Sequence, residues 1–250
     1  MYEPRRYRRK MISARFHSFR IAERESDLMI GISKPDYTDE IPKTIQQELS
    51  GLRKNLEQYI EEKPDFLHKL ESVQYEPDDN GIIKKMKEHT GKFGIGPMAS
   101  VAGMISEEIG KLIITKFQPE ELYIENGGDV FIKINRDLVL AIDAGKNKLF
   151  ENLGVRLTSD HSPLGICTSS GIFGHSFSKG KADSVTVISQ SAYLSDSMAT
   201  ALANQVQNSN DINMVLEQVN DEKISVIVIK DEKIGFKGNV NLELMKSIHS

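Results

Sequence analysis

Leu122-Tyr123-Ile124-Glu125-Asn126-Gly127-Gly128-Asp129-Val130-Phe131-Ile132-Lys133-Ile134 decides the fold class. On both sides of Asn-Gly-Gly the residues read with a period of two, as in strands whose successive side chains face opposite sides of a sheet. Glycine admits the positive φ that a tight hairpin turn demands, so the stretch predicts two antiparallel strands. Continuing through Asn135-Arg136-Asp137 to a third period-two run at residues 138–143, it predicts a meander of short strands. Runs at residues 153–157, 164–168 and 184–189 are expected to extend that sheet, and residues 224–230 to form a last strong strand.

Upstream, Ile12, Ala14 and Phe16, then Leu28-Met29-Ile30-Gly31-Ile32, predict an opening hairpin. Beyond it the period changes to that of a helix: Ile41, Ile45, Leu49, Leu52, Leu56, Tyr59 and Ile60 recur at three and four. Pro64 ends that helix, and a short one through Phe66, Leu67 and Leu70 follows. Ala102, Ile105, Ile109, Leu112 and Ile113 mark another helix, entered at Pro97 and running to Phe117. Residues 192–206 and 212–219 complete the helices. Strands and helices in these runs predict an α+β fold, a largely antiparallel sheet packed by helices.

The 250 residues, 39% apolar and 27% charged, suffice for an ordinary core and are read as one domain over residues 1–250, which excludes a disordered chain. A formal net charge of −4 gives no chain-wide attraction to nucleic acid or anionic lipid, and neither is expected as a partner. Basic residues concentrate in the first ten, expected as a solvated arm. No apolar h-region follows them, because Ser13, Arg15, His17 and Arg20 stand there, so a cytoplasmic location is expected. The single cysteine, Cys167, excludes a disulfide within the chain and a thiolate metal cluster. As a nucleophile it would need a local base, for which His175 is the candidate; a buried, inert thiol is the alternative.

Three features carry candidate chemistry. Gly94-Ile95-Gly96-Pro97-Met98-Ala99 has the letters G-x-G-x-x-A, and glycines before a helix can bring backbone amides close to a phosphate. A helical pattern precedes it where the dinucleotide fingerprint needs a strand, so that fingerprint is excluded and a ligand-free helix entry stays open. Asp196 and Thr200, four apart on a helix, share one face and offer hard oxygens to Mg²⁺. By spacing alone a structural use is favoured, Asp196 near the helix start and Thr200 bonding a carbonyl behind it. Thr168-Ser169-Ser170-Gly171 and the His175 loop suit hydrogen bonding to a phosphate or a ring edge, and a solvated loop carries the same letters.

Four segments, in order, resemble the ApbE superfamily, flavin transferases that move FMN from FAD onto proteins. They are the glycine-entered helix from Gly94, the turn Asn126-Gly127-Gly128-Asp129, the loop Thr168-Ser169-Ser170-Gly171, and Ser184-Val185-Thr186-Val187 followed by Asp196-Ser197-Met198-Ala199-Thr200-Ala201-Leu202. The resemblance implies a T-fold-like architecture, FAD in a cleft, and Mg²⁺ between its phosphates and Asp196 and Thr200. It also implies cofactor contacts at Gly94, Gly96, Asn126, Gly127, Gly128, Asp129, Thr168, Ser169, Ser170 and Gly171, and a catalytic role for His175. The transferases carry K-G-x-x-x-D on the first of these helices, where this chain has Gly96-Pro97-Met98-Ala99 and Val101-Ala102-Gly103. The pattern is closer to a divergent cytoplasmic branch of archaea and anaerobic bacteria. Membership there implies an alternative, a non-catalytic accessory protein of anaerobic sulfur assimilation and homocysteine formation with a protein partner in sulfur transfer. Free sheet edges would also admit a homo-oligomer.

Overall fold

A computed structural model of the protein describes residues 14–145, 147–171 and 180–245. The basic arm at residues 1–10 and His175 lie outside the described residues. A hairpin opens the fold, β1 (Phe16–Glu23) against β2 (Ser26–Ser33), with Arg24 at φ +52° in its turn. Four helices follow: α1 (Glu40–Glu62), α2 (Asp65–His68), α3 (Gly81–Gly91) and α4 (Val101–Phe117). The strands β3 (Leu122–Asn126), β4 (Asp129–Lys133), β5 (Leu138–Ala141), β6 (Leu153–Leu157), β7 (Leu164–Ser169) and β8 (Ser184–Ser189) come next. Helices α5 (Ala192–Gln205) and α6 (Asp211–Glu217) separate these from β9 (Ser225–Lys230), β10 (Lys233–Lys237) and β11 (Leu242–Leu244).

The main sheet has eight strands in the order β1-β2-β3-β4-β7-β8-β9-β10, every neighbouring pair antiparallel. The expected α+β class with a largely antiparallel sheet is what the chain forms. Several expectations are corrected. The run at residues 138–143 does not continue the meander, and residues 153–157 do not extend the main sheet: β5 and β6 pair with each other and, through β6, with β11 in a separate three-stranded sheet. The free edge of β4 is taken by β7, with Val130 opposite Ile166, and the amide of Ile134 is bound by the Ser162 hydroxyl. Alternation tells which face a residue takes, and says nothing about which edge its strand will pair with. The last strand is also not β9, because β10 and β11 follow it. Lysines at both ends of β10 mask its strand pattern and guard its open edge.

The main sheet is sandwiched. On one face the α1 stripe of Ile41, Ile45, Leu49, Leu52 and Leu56 and the α4 residues Ile105, Ile109 and Ile113 bury against Ile30, Ile124, Phe131 and Cys167. On the other, Val155, Leu153 and Leu157 of the small sheet pack on Tyr123, Val130, Ile132 and Ile166. Gly110 lets α4 lie flat on β4, since a Cβ there would come 2.2 Å from the Phe131 ring. The helix expected from Pro97 is split: Pro97–Ser100 form a 3-10 turn, and the α-helix begins at Val101 after Ser100 takes φ −117° and ψ 9°. That break delivers the N-terminus of α4 to the sheet end where β3 meets β4.

Candidate functional site

The Asn126-Gly127-Gly128-Asp129 turn is a two-residue hairpin with Gly127 at φ +71° and Gly128 at +106°. Positive φ at both central residues matches the right-handed twist of the flanking strands, which is why glycine stands at each. The turn sets Asn126 and Asp129 opposite one another across β3 and β4, both buried. By alternation they face the helices, as does Cys167 of β7, while Glu125 and Thr168 face the small sheet.

Above this face, α4 and α5 cap each other. The Gly103 amide at the start of α4 donates to Asp196 Oδ2 of α5 at 2.8 Å. In return Glu107 of α4 accepts from the Tyr193 amide at 3.2 Å and the Ser191 hydroxyl at 2.9 Å, at the start of α5. Amides at a helix N-terminus lack partners within their own helix and carry the positive end of its dipole, so a carboxylate is their natural acceptor. The Asn126 side-chain amide donates to the Ala102 carbonyl at 3.5 Å, and Asp129 Oδ1 accepts from the Thr168 amide at 3.2 Å. Asn126, Asp129 and Asp196 thus gather at one place, with Thr200 a turn beyond Asp196 on the same helix. Asp196 and Thr200 retain only 8% of their exposure.

Among the described residues the site holds more acid than its surroundings neutralise. Burial pushes Asp196 up to about 7, against the downward pull of the Gly103 and Ala102 amides. Burial, and then the charge of Asp196, raises Asp129 well above the carboxylate range. Two such coupled carboxyls release their protons as a pair. Cys167, hydrogen-bonded from Sγ to the Ala192 carbonyl at 3.4 Å, is fully buried, and burial followed by the Asp129 and Asp196 charges lifts its thiol well above normal. It is a thiol, not a thiolate nucleophile. Iodoacetamide is expected to modify Cys167 at least ~100-fold more slowly in the folded protein than in denaturant, as a buried protonated thiol requires. Mass spectrometry of the alkylated chain checks this, and equal rates would refute it.

The remaining predicted residues are placed elsewhere. Thr168 turns its hydroxyl to the opposite face, 2.9 Å from that of Thr186. Past Ser169, Ser170 and Gly171 lean on the Ala182 carbonyl, at 3.4 Å from the Ser170 hydroxyl and 2.9 Å from the Gly171 amide. Gly96 donates its amide to Leu70 and lies so close to residue 69 that a Cβ would come 1.7 Å from the Lys69 carbonyl oxygen; Gly94, at φ +69°, makes the bend before it. These two glycines seat residues 69–71 on the approach to α4 and are not in the cluster of Asn126, Asp129 and Asp196. Gly103, Glu107 and Glu125 were not among the expected site residues. The readable signal was weak: Glu107 stands four residues after Gly103 and three before Gly110, on a line of small residues outside the apolar stripe. Among the described residues no group of three or more His, Cys, Asp and Glu gathers as a metal cluster, so a cation here would rest on carboxylate and hydroxyl oxygens.

Comparison with known proteins gives this arrangement a context. The family described as AbpE bacteria matches residues 9–223. The chain belongs to that family. It is 38% identical to the UPF0280 protein of Methanobrevibacter smithii over 81% of this chain and 88% of that protein. It is 32% identical to the UPF0280 protein of Methanocaldococcus jannaschii, covering 91% and 93%. Among solved structures it shares its fold with the flavinyl transferase ApbE of Pseudomonas stutzeri, with a TM-score of 0.56 at 11% identity over 89% of this chain and 93% of that one. It likewise resembles the ApbE protein of Thermotoga maritima, with a TM-score of 0.54 at 12% identity over 93% and 97%. The architecture of this AbpE-family chain is therefore that of the ApbE structures. No described helix is long and apolar enough to cross a membrane.

Proposed function

We propose that this AbpE-family chain is a cytoplasmic protein that binds a flavin nucleotide, FAD or a related phosphate-bearing ligand, with Mg²⁺ held by Asp196 and Thr200. One observation carries the reading: two buried carboxylates, Asp129 and Asp196, share one site where their described partners are backbone amides and a thiol. Burial without a counter-charge costs several kcal/mol, roughly, per ion, and a divalent cation offsets it. The oxygens present suit magnesium, which keeps waters and completes its shell with substrate phosphates. Fold likeness to proteins named as flavin transferases supports the choice of nucleotide.

The α4 N-terminus bears on how such a ligand would be held. Its Gly103 amide already serves Asp196, so the helix end is an anchor for the carboxylate and not an open phosphate cradle. Within this reading Asp196 would hold the cation against α4, and a bound cation would supply neutralisation of the pyrophosphate charge. Ser169, Ser170, Gly171 and His175 would orient the remainder of the ligand, with the Thr168 amide fixing Asp129, and with Gly127 and Gly128 shaping the turn beside it. If group transfer occurs, His175 is the residue assigned to it.

Isothermal titration with FAD, with and without Mg²⁺, tests the proposal. Tight binding that requires magnesium and is lost in Asp196→Asn is the expected result. Unchanged affinity in that variant, with magnesium present, would sink the metal assignment. No binding by the unaltered protein would move the search to the accessory role, a protein partner and sulfur metabolites.

A further inference from the structure

We propose that the outer edge of β10 is a docking site for an extended, acidic segment of a partner protein, which adds to the main sheet as a further strand. The proposal does not rest on the nucleotide reading, because it uses an edge of the sheet and no residue assigned to the ligand. β10 closes the strand order of the main sheet, and among the described residues no strand lies beyond it. Register sends its side chains to two different faces. Ile234 and Phe236 stand opposite Ile229 and Ile227 of β9, which belong to the core beneath the small sheet. Phe236 is 53% exposed, a large ring left at the rim of that core. Lys233, Gly235 and Lys237 take the other face, where a Cβ on Gly235 would come 2.4 Å from Ile212 of α6 and the Lys233 ammonium donates to Asn210 at 3.3 Å.

The backbone of this edge is available and its charge selects the occupant. Two residues, Asp231 and Glu232, join β9 to β10, so Lys230 and Lys233 form the hydrogen-bonded pair that closes the hairpin. In an antiparallel pair such positions alternate with non-bonded ones, and the amides and carbonyls of Ile234 and Phe236 therefore point away from β9. Asp183 and Asp231 pair with Lys230, and Asp211 of α6 accepts the Gln207 and Asn208 amides. Among the described residues neither Lys233 nor Lys237 has an ion-pair partner. A second copy laid antiparallel about Gly235 would set Lys233 against Lys237 twice, and like charges directly opposite are destabilising. The lysines that guard the edge against such self-pairing favour an added strand with acids at the two facing positions. Between those acids, apolar residues beside Ile234 and Phe236 would extend the core, and a small residue would face Gly235. The recognised segment reads acid, apolar, small, apolar, acid; main-chain bonds hold it and its side chains specify it.

The probe is an end-capped peptide with the core Glu-Val-Ser-Val-Glu, and the control carries Lys-Val-Ser-Val-Lys. In the isotope-labelled full chain at low salt, the acidic peptide is expected to shift the Ile234 and Phe236 amide resonances saturably, with a Kd on the order of 1 mM for so short a strand. The basic peptide is expected to bind about tenfold more weakly or worse, and the gap to narrow as salt screens the charges. Lys233→Glu with Lys237→Glu is expected to reverse the preference; both side chains are exposed, so the fold does not depend on them. Phe236→Pro removes an outward amide that β9 does not use and is expected to abolish binding of either peptide, so the proposal stays testable should the double variant fail to fold. Asp196→Asn is expected to take the acidic peptide as the unaltered protein does, which separates this edge from the nucleotide reading. Absence of shifts, a preference unmoved by charge reversal, or binding unaltered by Phe236→Pro would each overturn the proposal. So would a dimer of the unaltered protein that Phe236→Pro dissociates in sedimentation, because the edge would then belong to a second copy.

Discussion

Gly103→Ala is expected to destabilise the protein by about 3 kcal/mol, the upper end of ordinary overpacking. The added methyl would stand 2.4 Å from the Ala192 carbonyl oxygen and 2.8 Å from Asp196 Cβ. The nearer obstacle is the backbone of α5, which cannot rotate aside as a side chain would. To admit the methyl, α4 and α5 must part, and parting them lengthens both mutual caps, the Gly103–Asp196 bond and the Glu107 bonds to α5. Against this, alanine gains about 1 kcal/mol over glycine in helix propensity, too little to change the sign. Gly51→Ala in α1 isolates that favourable component, since nothing lies within 4 Å of its Cβ position, and it is expected to stabilise by about 0.5–1 kcal/mol. Urea unfolding of both variants checks the contrast. Equal midpoints would mean that α4 and α5 do not meet as described. Because Gly103 also holds Asp196, its alanine variant is expected to weaken magnesium-dependent FAD binding in parallel.

In buffer free of divalent cations, Asp196→Asn is expected to become progressively more stable relative to the unaltered protein as pH rises from 4 to 8. Asp196 titrates at 3.8 in an ordinary setting and at about 7 in the folded chain. Between those values the folded protein holds a proton that the unfolded chain has released. The stabilisation is therefore fully present below pH 3.8 and is lost as pH climbs through 7. At about 1.36 kcal/mol per unit, the loss is on the order of 4 kcal/mol. Asp129, raised by the same burial, acts in the same direction. Carboxylates held below their ordinary range, such as Asp79 beside Lys87 and Glu121 beside Arg15, work the other way. The diagnostic quantity is therefore the difference between the two proteins. Asparagine keeps one oxygen for the amides of Gly103 and Ala102, while the other becomes an NH2 donor; the cost of that exchange does not vary with pH, so the pH dependence isolates the charge. A difference in unfolding free energy that stays flat from pH 4 to 8 would refute the buried-charge account. Saturating Mg²⁺ is expected to raise the stability of the unaltered protein at pH 8 and to leave Asp196→Asn where it was.

Much of the fold was legible wherever a local rule governs. The α1 stripe reads directly into the buried side of the helix, because 3.6-residue periodicity is a property of the chain itself. The Asn-Gly-Gly-Asp turn reads directly into a primed hairpin, because positive φ at two successive positions is a local demand that glycine meets. The separate β5-β6-β11 sheet was not legible. Its strands carry the same alternation as those of the main sheet, and the choice of partner is made by tertiary packing, in which β7 occupies the edge of β4.

The candidate site divides along the same line. Local sequence determined the residue types and two spacings: Asn126 and Asp129 across a tight turn, and Asp196 and Thr200 one helical turn apart. That Gly103 anchors Asp196 from ninety-three residues away, that Glu107 repays the cap, and that Thr168 shows its hydroxyl to the opposite face all follow from how α4, α5 and β7 pack. The acidity of the site belongs there too. An aspartate's composition and neighbours in sequence say nothing of its solvation, and it is removal from water beneath two helices that moves Asp129 and Asp196 into a range where a cation or a proton must answer them.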